Sequence, residues 1–519
     1  MRGAVAAGHP LTAAAGARIL AEGGNAVDAC VAAACAAWVT ESPLTGPGAG
    51  GFALVLPTGG RPARLADFFV ARPGLGRPAP GGAEMHSIDV GFGDSETTQV
   101  FRIGEPSCAV PGAAAGLQAV HRAYGRLPWA ELFAPAIDLA RGGVVLTREQ
   151  AHLHAILDLI LRHQPEGARL YSRPDGTRLV PGDVLQLPDL AGTLERIAAD
   201  GAAALYDGEL AGAIVDHVQA GGGLLTRADL ESYRVVWRRP VRVPYHGHEL
   251  ISNPPPSAGG ILIAYGLRLL ERAGEGPVGT TESLAVLADV LQEQGVVREG
   301  AFAAELHRGG LAARLLSEPS LRAGAERLGR ASTLEQAPPG GTTHVSVVDG
   351  DGNAASLTAS TGSGSGVIVP GTGIQLNNML GEYDLAGGPA RPGQRLTSMM
   401  SPTVVARDGK PRLVVGSAGS IRLRGAITQV VANVVAHGLG VAEAIDRPRL
   451  HVEGKHLHCE GGFDPAALDG LERLGYDVVR WRRRNLYFGG TNAVEVLADG
   501  SLAAAGDARR GGAGVVVGA

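Results

Sequence analysis

Pro338–Thr361 reads PPGGTTHVSVVDGDGNAASLTAST. Proline and glycine punctuate its front, two threonines follow, and apolar and polar residues then alternate. His344, Ser346 and Val348 fall on one parity, and Val345, Val347 and Asp349 on the other. That pattern predicts a strand with unlike faces over 343–349. Asp-Gly-Asp-Gly-Asn at 349–353 is hairpin chemistry, so 354–360 is predicted as the return strand. Threonine is β-branched and suits a strand start. On local pattern alone, Thr342 only opens a hairpin, and the rest of the chain must decide whether it does more.

The chain has 519 residues, 45% hydrophobic and 19% charged, with a formal net charge of −5. This is a globular balance, long enough for several domains or one large body. Mild acidity leaves no electrostatic footprint for nucleic acid. Aromatics are only 4% while glycine numbers 78, so small residues must supply much of the packing and backbones must approach closely. Lysine is confined to Lys410 and Lys455, which reads as coding bias. Cys30, Cys35, Cys108 and Cys459 make no CxxC pair and are expected as buried thiols, neither disulfides nor a zinc site. The N-terminus shows no basic-then-apolar leader, and the apolar run at 29–39 is too short to cross a bilayer. The expectation is a cytoplasmic protein with no membrane partner.

Helices are predicted over 10–40, split at Gly23-Gly24-Asn25, and over 112–142, 147–163, 187–200, 208–219 and 281–330, the last broken at Gly309-Gly310. GGFALVLPTGG and RLADFFV read as a strand pair, and the segment around Pro240 and Pro244 has strand character. After Pro338 strands dominate, at 343–349, 354–360, 366–369, 402–407, 411–416 and 492–497, with helices at 424–437 and 465–474. A helix-rich part thus meets a strand-rich part near Thr342 with no long linker, which predicts one interlocked α+β body.

GPGAGG at 46–51 matches G-x-G-x-x-G, but a helix precedes it and a strand follows. That inverts the context of a dinucleotide site and disfavours a nucleotide-dependent oxidoreductase. His456 and His458 sit two apart, as metal ligands on one strand face would, but no third ligand accompanies them and a polar edge strand is expected. GSGSG at 362–366 suits an active-site loop or a plain turn.

A threonine hydroxyl is a weak nucleophile unless a base stands beside it. If Thr342 became the first residue of a chain, its own α-amine, which titrates near roughly 7.7–8.0, would be that base. This requires cleavage after Gly341, a residue with no side chain to obstruct attack on its carbonyl.

GTTHVSVVDGDGNAASLT resembles the start of the small subunit of γ-glutamyltransferases, which are self-cleaving N-terminal-nucleophile (Ntn) hydrolases. ILAEGGNAVDACVAA, GPGAGGFALVL, VPGAAAGL, AYGRLPWAELFAPAIDLARGG, GGLLTRADLESYRVV, PPPSAGGI, GIQLNNML, SMMSPTVV and VVGSAGSIRL follow in family order. The resemblance implies a four-layer αββα sandwich built by a large fragment, 1–341, and a small one, 342–519, cut between Gly341 and Thr342. It implies Thr342 as nucleophile, Ser360 as the hydroxyl supporting its amine, and Gly419 and Ser420 as the backbone donors of an oxyanion hole. It implies no cofactor and no metal.

The substrate positions depart from the family. Phe69 stands where the family has an arginine for a glutamyl α-carboxylate, and Gly362 where it has asparagine. Met379 replaces a polar residue, and Ser398-Met399 replaces a serine pair. Glu382 retains an acid suited to an amine. About 15 residues between Glu382 and Ser398 leave little chain for a lid, so the cleft is expected to be open there. The resemblance implies a self-processing threonine hydrolase or acyltransferase that forms an acyl-enzyme from a small-molecule amide or activated carbonyl. The alternatives are an acylase for apolar amides, a C–C bond hydrolase of an actinobacterial alkylproline-type antibiotic pathway, and a non-catalytic binding protein with the same fold.

Overall fold

A computed structural model describes residues 2–77, 83–91, 98–329, 341–382 and 391–518. The chain opens with β1 (Gly3–Ala7), α1 (Pro10–Ala21) and α2 (Ala26–Thr40). The break between the helices falls where predicted. Asn25 accepts from the Val27 and Asp28 amides, and Asp28 returns the bond to the Asn25 amide, a capping box that starts α2. Alanine makes up much of α2, and every residue in it is buried. The strands β2 (Gly50–Leu56), β3 (Arg64–Phe68), β4 (Val236–Arg238), β5 (Val241–Tyr245) and β6 (His248–Ser252) follow, and then α3 (Gly259–Ala273). Beyond Gly341 come β7 (Thr343–Asp349), β8 (Ala354–Ser360), β9 (Thr403–Arg407), β10 (Lys410–Ala418), α4 (Arg422–Val435), β11 (Gly490–Val496), β12 (Leu502–Ala505) and β13 (Ala513–Val517).

Two antiparallel sheets result. One runs β13-β1-β7-β8-β2-β3-β4 and the other β12-β11-β10-β9-β6-β5. In the first, β1 from before Gly341 lies between β13 and β7 from after it, and β8 from after it pairs with β2 from before it; in the second, β5 and β6 complete a sheet begun by later strands. Neither segment holds either of these two sheets whole. On β7, Val345 and Val347 pack with Val31, Cys35 and Trp38 of α2. Val348 belongs to the core shared by Val414, Ile261 of α3 and Ile427 of α4. The layers are therefore helix, sheet, sheet, helix, as expected.

A polar belt joins the two sheets. The Ser346 hydroxyl donates to the Asn492 carbonyl (3.1 Å), and the Asn492 amide donates to the His344 carbonyl (2.9 Å). The His344 ring nitrogens lie 2.8 Å from the Thr358 and Ser346 hydroxyls, and burial lowers its pKa to about 3. Gly416 makes this possible, because a Cβ there would stand 2.3 Å from the ring.

Several elements differ from expectation. The end strands β1, β12 and β13 and the hairpin His86–Gly91 with Thr98–Ile103 were not foreseen. His456–Cys459 is not an edge strand; it lies between Leu450–Glu453 and Asp477–Arg480. The His458 Nδ1 there accepts from the Trp481 indole (3.1 Å), which gives this histidine a structural partner. The four cysteines are buried and free, as expected. Among the described residues no cluster suits a metal, and no helix is long and apolar enough to cross a membrane. Residues 338–340 of the opening stretch lie outside the described residues.

Candidate active site

One cleft is lined by Phe69, Gly341, Thr342, Ser360, Gly362, Met379, Glu382, Ser398, Met399, Met400, Ser420 and Leu423. Of the site residues that the resemblance implies, all but Gly419 line it. Met400 and Leu423 were not foreseen.

Thr342 precedes β7, in the centre of the first sheet, and is 4% exposed. Gly341 is glycine because a Cβ there would lie 2.5 Å from the Gly362 carbonyl oxygen and 2.8 Å from Leu44. The Ser360 hydroxyl, at the end of β8, donates to the Gly341 carbonyl and accepts from the Gly362 amide (2.8 Å). Ser360 therefore polarises the carbonyl that precedes Thr342. In the intact chain it meets that carbonyl and not an amine.

The strand-to-helix corner between β10 and α4 carries Gly419 (φ +125°) and Ser420 (φ +55°). No L residue adopts the first conformation readily. The second is a left-handed serine, of the kind stored at functional sites at about 1–3 kcal/mol. Gly419 and Ser420 accept from the Arg422 and Leu423 amides (3.1 Å each), which starts α4. The positive end of the helix dipole thus lies at the corner.

Gly362 (φ +74°) opens the GSGSG loop and lines the cleft. The Ser363 amide donates to Asn378 Oδ1 (3.0 Å) and Glu382 Oε1 (3.3 Å). A Cβ on Gly362 would fall 2.1 Å from Asn378 Oδ1, so this backbone admits no asparagine there. Phe69 is 1% exposed and stacks on Phe52, with centroids 5.5 Å apart. The Ser398 hydroxyl oxygen accepts from the Met400 amide (3.0 Å). Two nearby arginines are engaged elsewhere. Arg395 lies 3.3 Å from the buried Asp67, and Arg422 covers the Tyr487 ring at 4.2 Å. The expected open side depends on 383–390, which lie outside the described residues.

The gamma-glutamyltranspeptidase family model matches residues 12–517. An acylase ACY 1 proenzyme of Pseudomonas sp. (strain V22) is 34% identical over 99% of this chain and 94% of its own length. A glutathione hydrolase proenzyme of Escherichia coli (strain K12) is 32% identical over 95% of this chain and 88% of its own. Among solved structures, the cephalosporin acylase from Bacillus halodurans superposes with a TM-score of 0.85 at 26% identity, covering 99% of this chain and 95% of that one. With Thr342, the Gly419–Ser420 corner and the αββα layers in place, the chain belongs to the gamma-glutamyltranspeptidase family.

Proposed function

We propose that this family hydrolase is a self-processing threonine acylase whose acyl group is apolar. Thr342 Oγ1 adds to the Gly341 carbonyl carbon, which Ser360 polarises. Collapse expels the Thr342 nitrogen and leaves an ester. Water cleaves the ester to a Gly341 carboxylate and a Thr342 with free hydroxyl and amine. That amine then takes the hydroxyl proton as Oγ1 attacks a substrate amide. The oxyanion is held by backbone N–H groups at 419–420. The leaving amine takes the proton, and water resolves the acyl-enzyme.

The observation that carries this reading is the composition of the cleft around Thr342. Thr342, Ser360 and Ser420 share it with Phe69, Met379, Met399, Met400 and Leu423. A glutamyl α-carboxylate buried against that wall without donors would lose its hydration uncompensated. Glu382 favours substrates that also carry an amine. The acylase relatives support the reading and the glutathione hydrolases set its default rival. Because both large sheets are built from strands of both segments, the fragments should stay together as a heterodimer.

Mass spectrometry of the purified protein tests processing, and kinetics on paired anilides test the acyl group. A fragment beginning at Thr342 and a preference for an apolar acyl anilide over the γ-glutamyl one are expected. An uncut active chain, or turnover of the γ-glutamyl anilide at about 10⁴ M⁻¹s⁻¹ or more, would refute it.

A further inference from the structure

A second small cavity has none of its lining residues in common with the cleft. Glu41, Leu44, Gln150, His154 and Arg510 contribute to its wall. Glu41 follows the last turn of α2 and is 6% exposed. Both its carboxylate oxygens accept from buried hydroxyls: Oε2 from Thr343 Oγ1 (2.6 Å) and Oε1 from Thr12 Oγ1 of α1 (3.1 Å). Thr12 in turn lies 2.7 Å from the Thr40 hydroxyl of α2. Gly8 leaves the room, since a Cβ there would stand 2.3 Å from Oε2. A buried carboxylate is expensive unless hydrogen bonded, so this arrangement holds one geometry tightly. Burial pushes the Glu41 carboxyl up to about 7, against the pull of Thr343, Thr12 and the Arg510 charge.

Thr343 is the residue after Thr342. Once the Gly341–Thr342 bond is cut, Thr343 is the only covalent anchor the nucleophile has left. We infer that Glu41 is a positioning residue: by holding the Thr343 side chain to α1 and α2, it fixes where the Thr342 hydroxyl and amine stand. This inference rests on Thr342 being the nucleophile. A new N-terminus is free to fray, and misplacement of about 1 Å can cost on the order of 10²-fold in rate. Backbone pairing of Thr343 with Ala359 fixes the strand, while the Glu41 contact restrains its side chain at the point where the strand begins.

The test uses the full chain with Thr343→Val, which keeps the shape and removes the hydroxyl, Thr343→Ser, which keeps the hydroxyl, and Glu41→Gln. Thr343→Val is expected to lower kcat by about 10- to 100-fold in processed protein with KM within about twofold, and Thr343→Ser to recover most of that loss. Glu41→Gln combined with Thr343→Val should be little worse than Thr343→Val alone, because any effect of the glutamine on the nucleophile passes through the hydroxyl that valine removes. Unchanged kcat in Thr343→Val, equal damage from valine and serine, or additive losses in the double variant would each overturn it. If Thr343→Val fails to fold, kcat of Glu41→Leu, which has no acceptor, against Thr343→Ser decides: only the first should fall. Thr342→Ala separates the two readings. If it is inactive while Thr343→Val is normal, only the role of Glu41 fails; if Thr342→Ala turns over, the nucleophile itself is misassigned.

Discussion

The two ends of the cleft are built from different materials. At one end the proposed chemistry rests on a threonine, a serine hydroxyl and a backbone corner, held by sheet register and by glycines that leave no room for side chains. At the other, the wall is made of side chains from unrelated segments: Phe69 after β3, Met379 in a loop, and Met399 and Met400 before β9. Backbone machinery tolerates drift around it, because any residue but proline at 420 leaves an N–H. A side-chain wall changes its ligand with each substitution. The same reaction can therefore persist while the substrate changes.

The sharpest way to break this division is at its polar end. Thr342→Ala should remain one chain on a denaturing gel and lose turnover on the order of 10⁴-fold or more, whatever acyl group is offered. Residual cutting at the same bond would move the nucleophile. Next comes the corner. Gly419→Pro removes one N–H and should lower kcat by about 10²–10³-fold, equally for apolar and γ-glutamyl anilides. Proline also fixes φ near −65°, far from the +125° found here, so circular dichroism must first show a native fold. A loss confined to one substrate would mean that the corner recognises the acyl group.

The polar end also depends on pH in a way the apolar wall does not. His344, two residues beyond Thr342, is buried and neutral, its pKa lowered from 6.5 to about 3 by burial. Its ordinary value lies above its folded value, so its contribution is complete above pH 6.5 and is lost as pH falls toward 3. At pH 5 the loss is about 2 kcal/mol for this ring alone. His344→Gln, less stable at pH 7, should show a shallower fall in unfolding free energy between pH 6.5 and 5. Parallel profiles would show that the ring takes up its proton without cost.

The sequence foretold the polar end well. β7 and β8 occupy the predicted 343–349 and 354–360, because strict alternation and a Gly/Asp turn leave little choice of element. The ends of the chain were less legible. Gly3–Ala7 is five small, fully buried residues without alternation, and becomes a strand only because β7 and β13 flank it. The strand His456–Cys459 looked like an edge because its parallel partner, Asp477–Arg480, arrives after an intervening helix. Glu41 gave no local signal, since its hydroxyl partner Thr343 lies 302 residues away. Patterns within ten residues were readable, and pairings across the chain were not.

The finest division lies within the wall itself. Met399 stands beside Ser398, and its side chain is 6% exposed in the cleft. Met399→Ser removes apolar surface and adds a hydroxyl, so kcat/KM on an apolar acyl anilide should fall by about tenfold, a transfer effect of one to two kcal/mol. On the γ-glutamyl anilide the gain should be smaller. Gly362 cannot take a side chain against Asn378, and Phe69 still stacks on Phe52 where a carboxylate would need a cation. Adding Phe69→Arg tests this further. A lone buried guanidinium beside Phe52 costs stability, and without the donor missing at 362 it should not bring γ-glutamyl turnover to ordinary enzyme efficiency. Full γ-glutamyl activity in the double variant would mean that two side chains suffice to specify the acyl group, and that the loop at 362 plays no part in the choice.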